Sequence, residues 1–186
     1  MPSVHCQGWR MPLEPPLEEP PEAVIDALAP LRSDFSIALW EPGNPFAVGA
    51  VIRVAHNFLA REIFLIGPVD GSPFYPKASM GMHKYEAIRE VPDEDAFFRA
   101  VGGRPVWALD KERARRSIHA PGAFPAGVVF LFGSERFGLP DAALERADEV
   151  LGIPLYGVNQ SLPLAVAAGI VMNEWARRRY GQGAVV

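Results

Sequence analysis

The sequence predicts an α/β fold built on a parallel sheet with helices on both faces. Two observations carry this. Five apolar runs have strand length: Phe35–Trp40 (FSIALW), Glu62–Ile66 (EIFLI), Val106–Leu109 (VWAL), Val128–Phe132 (VVFLF) and Val150–Ile153 (VLGI). Runs this nearly continuous, with little polar alternation, suit strands buried on both faces. Between them lie segments with apolar residues at helical spacing, and strands alternating with helices imply parallel pairing.

Taken in order, residues 11–21 (MPLEPPLEEPP) are rich in Pro and Glu and lack apolar periodicity, which predicts an extended arm. Pro21 suits the first position of a short helix over Glu22–Leu31, with Val24, Ile25 and Leu28 on one side. After the strand Phe35–Trp40, Val48–Leu59 reads as a helix. Glu62–Ile66 is the next strand, closed by the turn-forming Gly67–Gly71 (GPVDG). Tyr85–Val91 reads as a short strand. Asp93–Val101 reads as a helix whose acidic first turn favours the helix dipole. Val106–Leu109 and Val128–Phe132 are strands, Pro140–Ala147 a helix, Val150–Ile153 the last strand and Leu162–Tyr180 the last helix. Ligands in such sheets sit beyond the carboxyl ends of the strands. That points to the loops after Trp40, Leu109, Phe132 and Ile153. Residues 1–33 form an arm with a short helix, and residues 34–186 a single domain.

At 186 residues the chain is long enough to bury a core without staples. A hydrophobic share of 49% and a mean hydropathy near zero match a soluble globular protein. No apolar run approaches the ~20 residues of a membrane helix. The first residues lack the basic and apolar pattern of a secretory leader. One cysteine, Cys6, fits a reducing compartment, so a cytoplasmic location is expected. Glu14, Glu18, Glu19, Glu22, Asp26 and Asp34 outweigh Arg10 and Arg32, and carry the whole net charge of −4. Residues 35–186 are therefore neutral overall, with basic groups gathered at Arg104–Arg116 and at Arg177, Arg178 and Arg179. A neutral body with local basic patches is compatible with gripping phosphates.

Several α/β chemistries are excluded by their motifs. The dinucleotide fingerprint G-x-G-x-x-G and the phosphate loop G-x-x-x-x-G-K-[ST] are both missing. The nucleophile elbow G-x-S-x-G fails too, since Ser134 directly follows Gly133. Nothing resembles H-E-x-x-H or paired C-x-x-C, so no metal is expected. His5 and Cys6 are adjacent on the terminal segment and make a poor site.

Three segments remain: Asn44–Phe58 (NPFAVGAVIRVAHNF), Leu131–Pro140 (LFGSERFGLP) and Ile153–Trp175 (IPLYGVNQSLPLAVAAGIVMNEW). In this order and spacing they resemble the three motifs of the SpoU/TrmH family of SPOUT-class RNA methyltransferases. Lys77–Tyr85 (KASMGMHKY) resembles the family's segment between the first two motifs. The resemblance runs from about Phe35 to Tyr180. It implies a Rossmann-like parallel sheet with a C-terminal trefoil knot, one of the rare exceptions to unthreaded chains. It implies ribose 2′-O-methylation of tRNA or rRNA with S-adenosylmethionine as methyl donor. It also implies a homodimer packed through the knot, for which Leu164, Val166, Ile170 and Val171 offer apolar surface.

By the same resemblance, Leu109, Gly133, Ile153, Leu155, Ser161 and Leu162 contact S-adenosylmethionine. Each taken alone reads equally as a strand-end core residue; their joint placement on adjacent loops favours the pocket. Arg53, Glu135 and Ser161 are the expected catalytic residues. An arginine amid Val48, Val51, Ile52, Val54 and Ala55 is either a helix-edge cation reaching water or a guanidinium facing RNA. Its pKa above ~12 argues against a general base and for positioning of phosphate and 2′-hydroxyl. Glu135 orients Arg53 or organises its loop, the plainer reading being an ion pair with Arg136. Ser161 also suits the N-cap of the last helix. RNA is expected on Arg53, Lys84, Arg113, Arg115 and Arg116, the last three also reading as a solvated loop.

Two positions depart from the family pattern. Ala47 stands where members carry asparagine two residues before the motif-one glycine, here Gly49. Ser161-Leu162-Pro163 stands where they read Ser-Leu-Asn. The alternative is therefore a paralogue that binds cofactor or RNA without efficient turnover.

Overall fold

The computed structural model describes residues 19–68, 74 and 76–180. Most of the expected Pro/Glu arm, the His5–Cys6 pair and the end of the GPVDG turn lie outside the described residues.

The strands are β1 (Ser36–Trp40), β2 (Ile63–Ile66), β3 (Ile88–Val91), β4 (Val106–Leu109), β5 (Arg116–Ser117), β6 (Val129–Phe132) and β7 (Glu149–Gly152). They form one seven-stranded sheet in the order β3-β2-β1-β6-β4-β7-β5, and every pairing is parallel. Two consequences follow from that order. β1 pairs with β6 across half the length of the chain, Ser36 opposite Val129. All strands end on the same side, which gathers the loops after β4, β6 and β7.

The helices are α1 (Pro21–Leu28), α2 (Pro45–Asn57), α3 (Glu94–Val101), α4 (Asp141–Arg146) and α5 (Leu164–Tyr180). α2 starts earlier than its apolar spacing suggests, because Asn44 caps it. The Asn44 side chain accepts from the backbone N–H of Phe46 and Ala47, and Pro45 fills the first position. α3 is capped by Asp93, which accepts from the Ala96 N–H at 2.8 Å, and ends on Gly102 at φ +62. α1 is shorter than expected: Pro30 removes an N–H, and Ala29–Leu31 tightens into a 3₁₀ turn.

Successive strand residues alternate between two cores. Ile37, Leu39, Ile63, Leu65, Phe130 and Phe132 pack with Val51, Ile52, Ala168, Val171 and Trp175 of α2 and α5. Ala38, Phe64, Ile66, Val129 and Leu131 pack with Phe97 and Val101 of α3 and Ala143 and Leu144 of α4. Burying each large side chain contributes about 1.5–3 kcal/mol. Phe35 lies between Trp175 and Phe130, with ring centroids at 4.6 and 6.1 Å.

One expectation is corrected here, and one basic cluster proves to be engaged within the protein. Leu164 and Val171 belong to this intramolecular core, because they face the sheet from α5; Val166 is exposed and Ile170 half-buried. The C-terminal arginines are not a simple phosphate-binding patch. Arg177 and Arg178 both donate to the buried carboxylate of Glu174, and Arg178 also donates to the carbonyls of Ile118 and Gly122. Arg178 thereby ties α5 to the loop before β6, while Arg177 bonds within its own helix.

No helix among the described residues is long and apolar enough to cross a membrane.

Candidate functional site

The site grows from three loops at the carboxyl end of the sheet. After β4, the Asp110 N–H donates to the Leu151 carbonyl at 3.0 Å. Its Oδ1 accepts from the N–H groups of Glu112 and Arg113, both at 2.8 Å. One side chain thus folds the loop back on itself. After β6, Ser134 and Gly138 exchange two backbone hydrogen bonds, and the Phe137 N–H donates to Ser134 Oγ at 3.2 Å. The turn needs both glycines. Gly138 sits at φ +69, and a Cβ on Gly133 would lie 2.3 Å from the carbonyl carbon of Gly138. After β7, Asn159 Oδ1 accepts from the Ser161 N–H at 3.2 Å and from its hydroxyl at 2.9 Å.

These loops and the start of α5 enclose a cavity of about 430 Å³. Leu109, Gly133, Ile153, Leu155, Ser161 and Leu162 all line it, so the structure brings together all six residues expected to hold the cofactor. Asp110, Lys111, Glu112, Glu135, Arg136 and Gln160 add polar groups around that apolar wall. A cavity of this size, with apolar and polar groups both facing it, suits a small ligand.

Glu135 lines the cavity and is exposed. The expected ion pair with Arg136 is missing: the Arg136 guanidinium lies 5.1 Å from the ring centroid of its neighbour Phe137. Ser161 does not cap α5, contrary to expectation. The residue before a proline is driven away from helical geometry, so Leu162 stays outside. α5 begins at Leu164, and the Pro163 carbonyl accepts from Val166 and Ala167.

Arg53 lies apart from the cavity wall. It is exposed on α2, and no described residue is its hydrogen-bond or ion-pair partner. Lys84 is exposed on the 3₁₀ segment Met82–Tyr85, which packs against α2. That segment is anchored by Glu86, whose buried carboxylate bonds His56 Nδ1 at 2.7 Å and Arg32 at 2.6 Å. The other three basic residues have different situations. Arg113 pairs with Asp141 at 2.8 Å in solvent, and Arg115 is exposed. Arg116 sits in β5, its guanidinium 5.5 Å from the Trp107 centroid and its Nη2 donating to Pro121. Arg115 and Arg116 line a second groove of about 400 Å³ that shares Lys111, Ile153, Leu155 and Gln160 with the first cavity.

The loop after Trp40 contributes nothing to the cavity, although its position after a strand suggested it would. β6 lies between β1 and β4, so the cavity centres on β6, β4 and β7. Sequence reasoning missed Asp110, which reads as an ordinary charge in Asp110–Arg113 (DKER). Its one signal is its place directly after a strand end.

A parallel sheet with helices on both faces and a ligand-sized cavity beyond β4, β6 and β7 places the chain among α/β proteins with a site at the carboxyl ends of the strands. The comparisons make it specific: residues 34–173 match the SpoU rRNA Methylase family, and the chain belongs to that family. It is 30% identical over 163 residues to a tRNA (guanosine(18)-2′-O)-methyltransferase of Thermus thermophilus, covering 86% of this chain and 83% of that protein. It is also 30% identical over 156 residues to a tRNA (cytidine(34)-2′-O)-methyltransferase of Methylovorus glucosotrophus, covering 81% and 99%. A structure solved in work on 2-OH methylation of C/U34 on tRNA superposes with a TM-score of 0.71 at 30% identity, over 80% of this chain and 97% of that one. The AdoMet-bound rRNA methyltransferase from Sinorhizobium meliloti gives 0.68 at 29% identity, over 77% of this chain and 56% of that one.

Proposed function

We propose that this protein is an RNA ribose 2′-O-methyltransferase that uses S-adenosylmethionine and acts on tRNA or rRNA. The observation that carries this reading is the meeting of five residues from the second and third motifs with Leu109, distant in sequence, around one cavity of about 430 Å³. The cavity fits an adenosyl ligand: Leu109, Ile153 and Leu162 offer a purine an apolar wall. Gly133 brings backbone to the wall where a Cβ would collide with Gly138. When bound, S-adenosylmethionine supplies an electrophilic methyl group on its sulfonium.

The chain's own part is binding and orientation. Arg53, always charged and without a hydrogen-bond or ion-pair partner among the described residues, holds a phosphate and aligns the ribose 2′-hydroxyl, whose proton passes to phosphate or water. Glu135 and Ser161, both lining the cavity, order the loops on which the nucleotide rests. Lys84, Arg113, Arg115 and Arg116 extend the electrostatic footprint for RNA. Residues 34–186 act as the methyltransferase domain and residues 1–33 as its arm, a division supported by the family match starting at residue 34.

In this reading the C-terminal segment threads through a loop to form the trefoil knot. The ties from Arg178 to the carbonyls of Ile118 and Gly122, which hold the loop before β6 against α5, support it. The protein works as a homodimer through this region, where Tyr156, Val158 and Val166 are exposed.

One observation favours a second reading. The asparagines are absent at Ala47 and Pro163, and the side-chain oxygens of Asn44 and Asn159 are already engaged, in capping α2 and in holding Ser161. The second reading is a family member that binds donor or RNA without efficient turnover. Incubation with methyl-labelled S-adenosylmethionine and total RNA, with Arg53→Ala as control, separates the two. Label in RNA that depends on Arg53 is expected. No transfer to any RNA, despite measurable donor binding, overturns the enzyme reading.

A further inference from the structure

Asp110 lines the cavity and directly follows Leu109, one of its apolar wall residues. Its two carboxylate oxygens have different fates. Oδ1 is held by two backbone N–H groups of its own loop, at 2.8 Å each. Oδ2 has no hydrogen-bond or ion-pair partner among the described residues. It is turned toward the glycine loop after β6, 3.9 Å from where a Cβ on Gly138 would stand. The residue is half-buried and lines the cavity. The Asx turn therefore fixes the carboxylate and leaves one charged acceptor aimed across the gap between the β4 and β6 loops. An oxygen in that position is preorganised for a hydroxyl or a cation on the ligand.

We infer that Asp110 Oδ2 accepts a hydrogen bond from a ribose hydroxyl of S-adenosylmethionine. The inference rests on the methyl-donor reading above and deepens it. Asp110 directly follows Leu109 of that wall, so an adenosine whose base lies against Leu109 can bring its sugar within reach of this carboxylate. The ribose is preferred over the sulfonium because it is bonded directly to the base.

Calorimetric titration of the intact protein tests this, with S-adenosylmethionine, S-adenosylhomocysteine and 5′-methylthioadenosine as probes. The last keeps the ribose but lacks the amino acid and the sulfonium. Asp110→Asn keeps an oxygen for the Asx turn and removes the charged acceptor. It is expected to weaken all three ligands alike, by about tenfold, the worth of one hydrogen bond to a charged group. Deoxyadenosyl analogues lacking the 2′- or 3′-hydroxyl serve as a second arm; one of them is expected to bind wild type and Asp110→Asn equally. The inference is overturned if Asp110→Asn binds every probe as wild type does, or if its loss is confined to S-adenosylmethionine. If wild type binds none of the three, the methyl-donor reading itself fails. Unchanged thermal stability of Asp110→Asn separates a lost ligand contact from a collapsed loop.

Discussion

Arg178 on α5 lays its guanidinium 4.3 Å from the ring centroid of Phe124, in the loop before β6. Phe124 in turn meets Trp107 of β4 and Phe130 of β6 edge-on, with centroids at 5.4 and 5.2 Å. The same arginine bonds Glu174 at 2.8 Å and the carbonyls of Ile118 and Gly122. One side chain thus connects the last helix, the loop against it and the centre of the sheet.

Arg178→Ala removes the stacking, leaves the two carbonyls to solvent and takes one of two strong partners from a buried carboxylate. The expected cost is about 2–4 kcal/mol, read as a lower urea midpoint. Arg178→Lys restores a charge but not the planar fork, and recovers less than half of that loss.

The Glu174 carboxyl titrates far below its ordinary range, at about 2, first because Arg177 hydrogen-bonds it and then because Arg178 does. Its folded pKa is depressed, so the stability it contributes is present above its unfolded value of 4.5 and lost as pH falls toward 2. Urea unfolding at a series of pH values is expected to show wild-type stability dropping across that window. Glu174→Gln is less stable at pH 7 and shows a shallower drop. Parallel curves for the two proteins would contradict this.

Gly133→Ala puts a Cβ 2.3 Å from the Gly138 carbonyl carbon and 2.5 Å from the Leu139 nitrogen. Those contacts are backbone, so the turn itself must move. A loss of about 1–3 kcal/mol in stability and of donor binding beyond detection is expected in a paired unfolding and calorimetry experiment. Gly152→Ala meets the Ala114 Cβ at 2.8 Å, an atom fixed to the backbone of the loop after β4. That loop must shift, so a smaller loss of stability than for Gly133→Ala is expected, together with weakened binding.

Arg53→Ala should separate chemistry from folding. Arg53 is exposed and has no described partner, so its unfolding free energy should stay within about 0.5 kcal/mol of wild type. Donor affinity should also be unchanged. Methyl transfer to RNA is expected to fall by about 100-fold or more. A large loss of stability would instead identify Arg53 as a structural residue.

Much of the sheet is legible in the sequence because its strands are buried on both faces and therefore written as unbroken apolar runs. β5 is not. It consists of Arg116 and Ser117 alone, pairs on one side with β7, and carries polar residues that mark no strand. The start of α5 was open to the wrong reading because Ser161 resembles a cap; Pro163 decides it, through the conformation it imposes on Leu162. The cavity wall is readable from motif order. Asp110 is not, because its importance comes from which of its oxygens is occupied, and pairing of that kind belongs to three dimensions. The Glu174–Arg178 tie is hidden for the same reason: a glutamate four residues before an arginine looks like ordinary helix-surface pairing.

The pairing of Ser36 with Val129 has a consequence for synthesis. On the ribosome β1 can gain β2 and β3 early, but its other edge stays open until residue 129 has emerged. Phe130 and Trp175, which close over Phe35, arrive later still. The nascent chain must therefore carry an unpaired apolar strand edge through about half of translation, and its exposure to aggregation depends on elongation rate as well as on final stability.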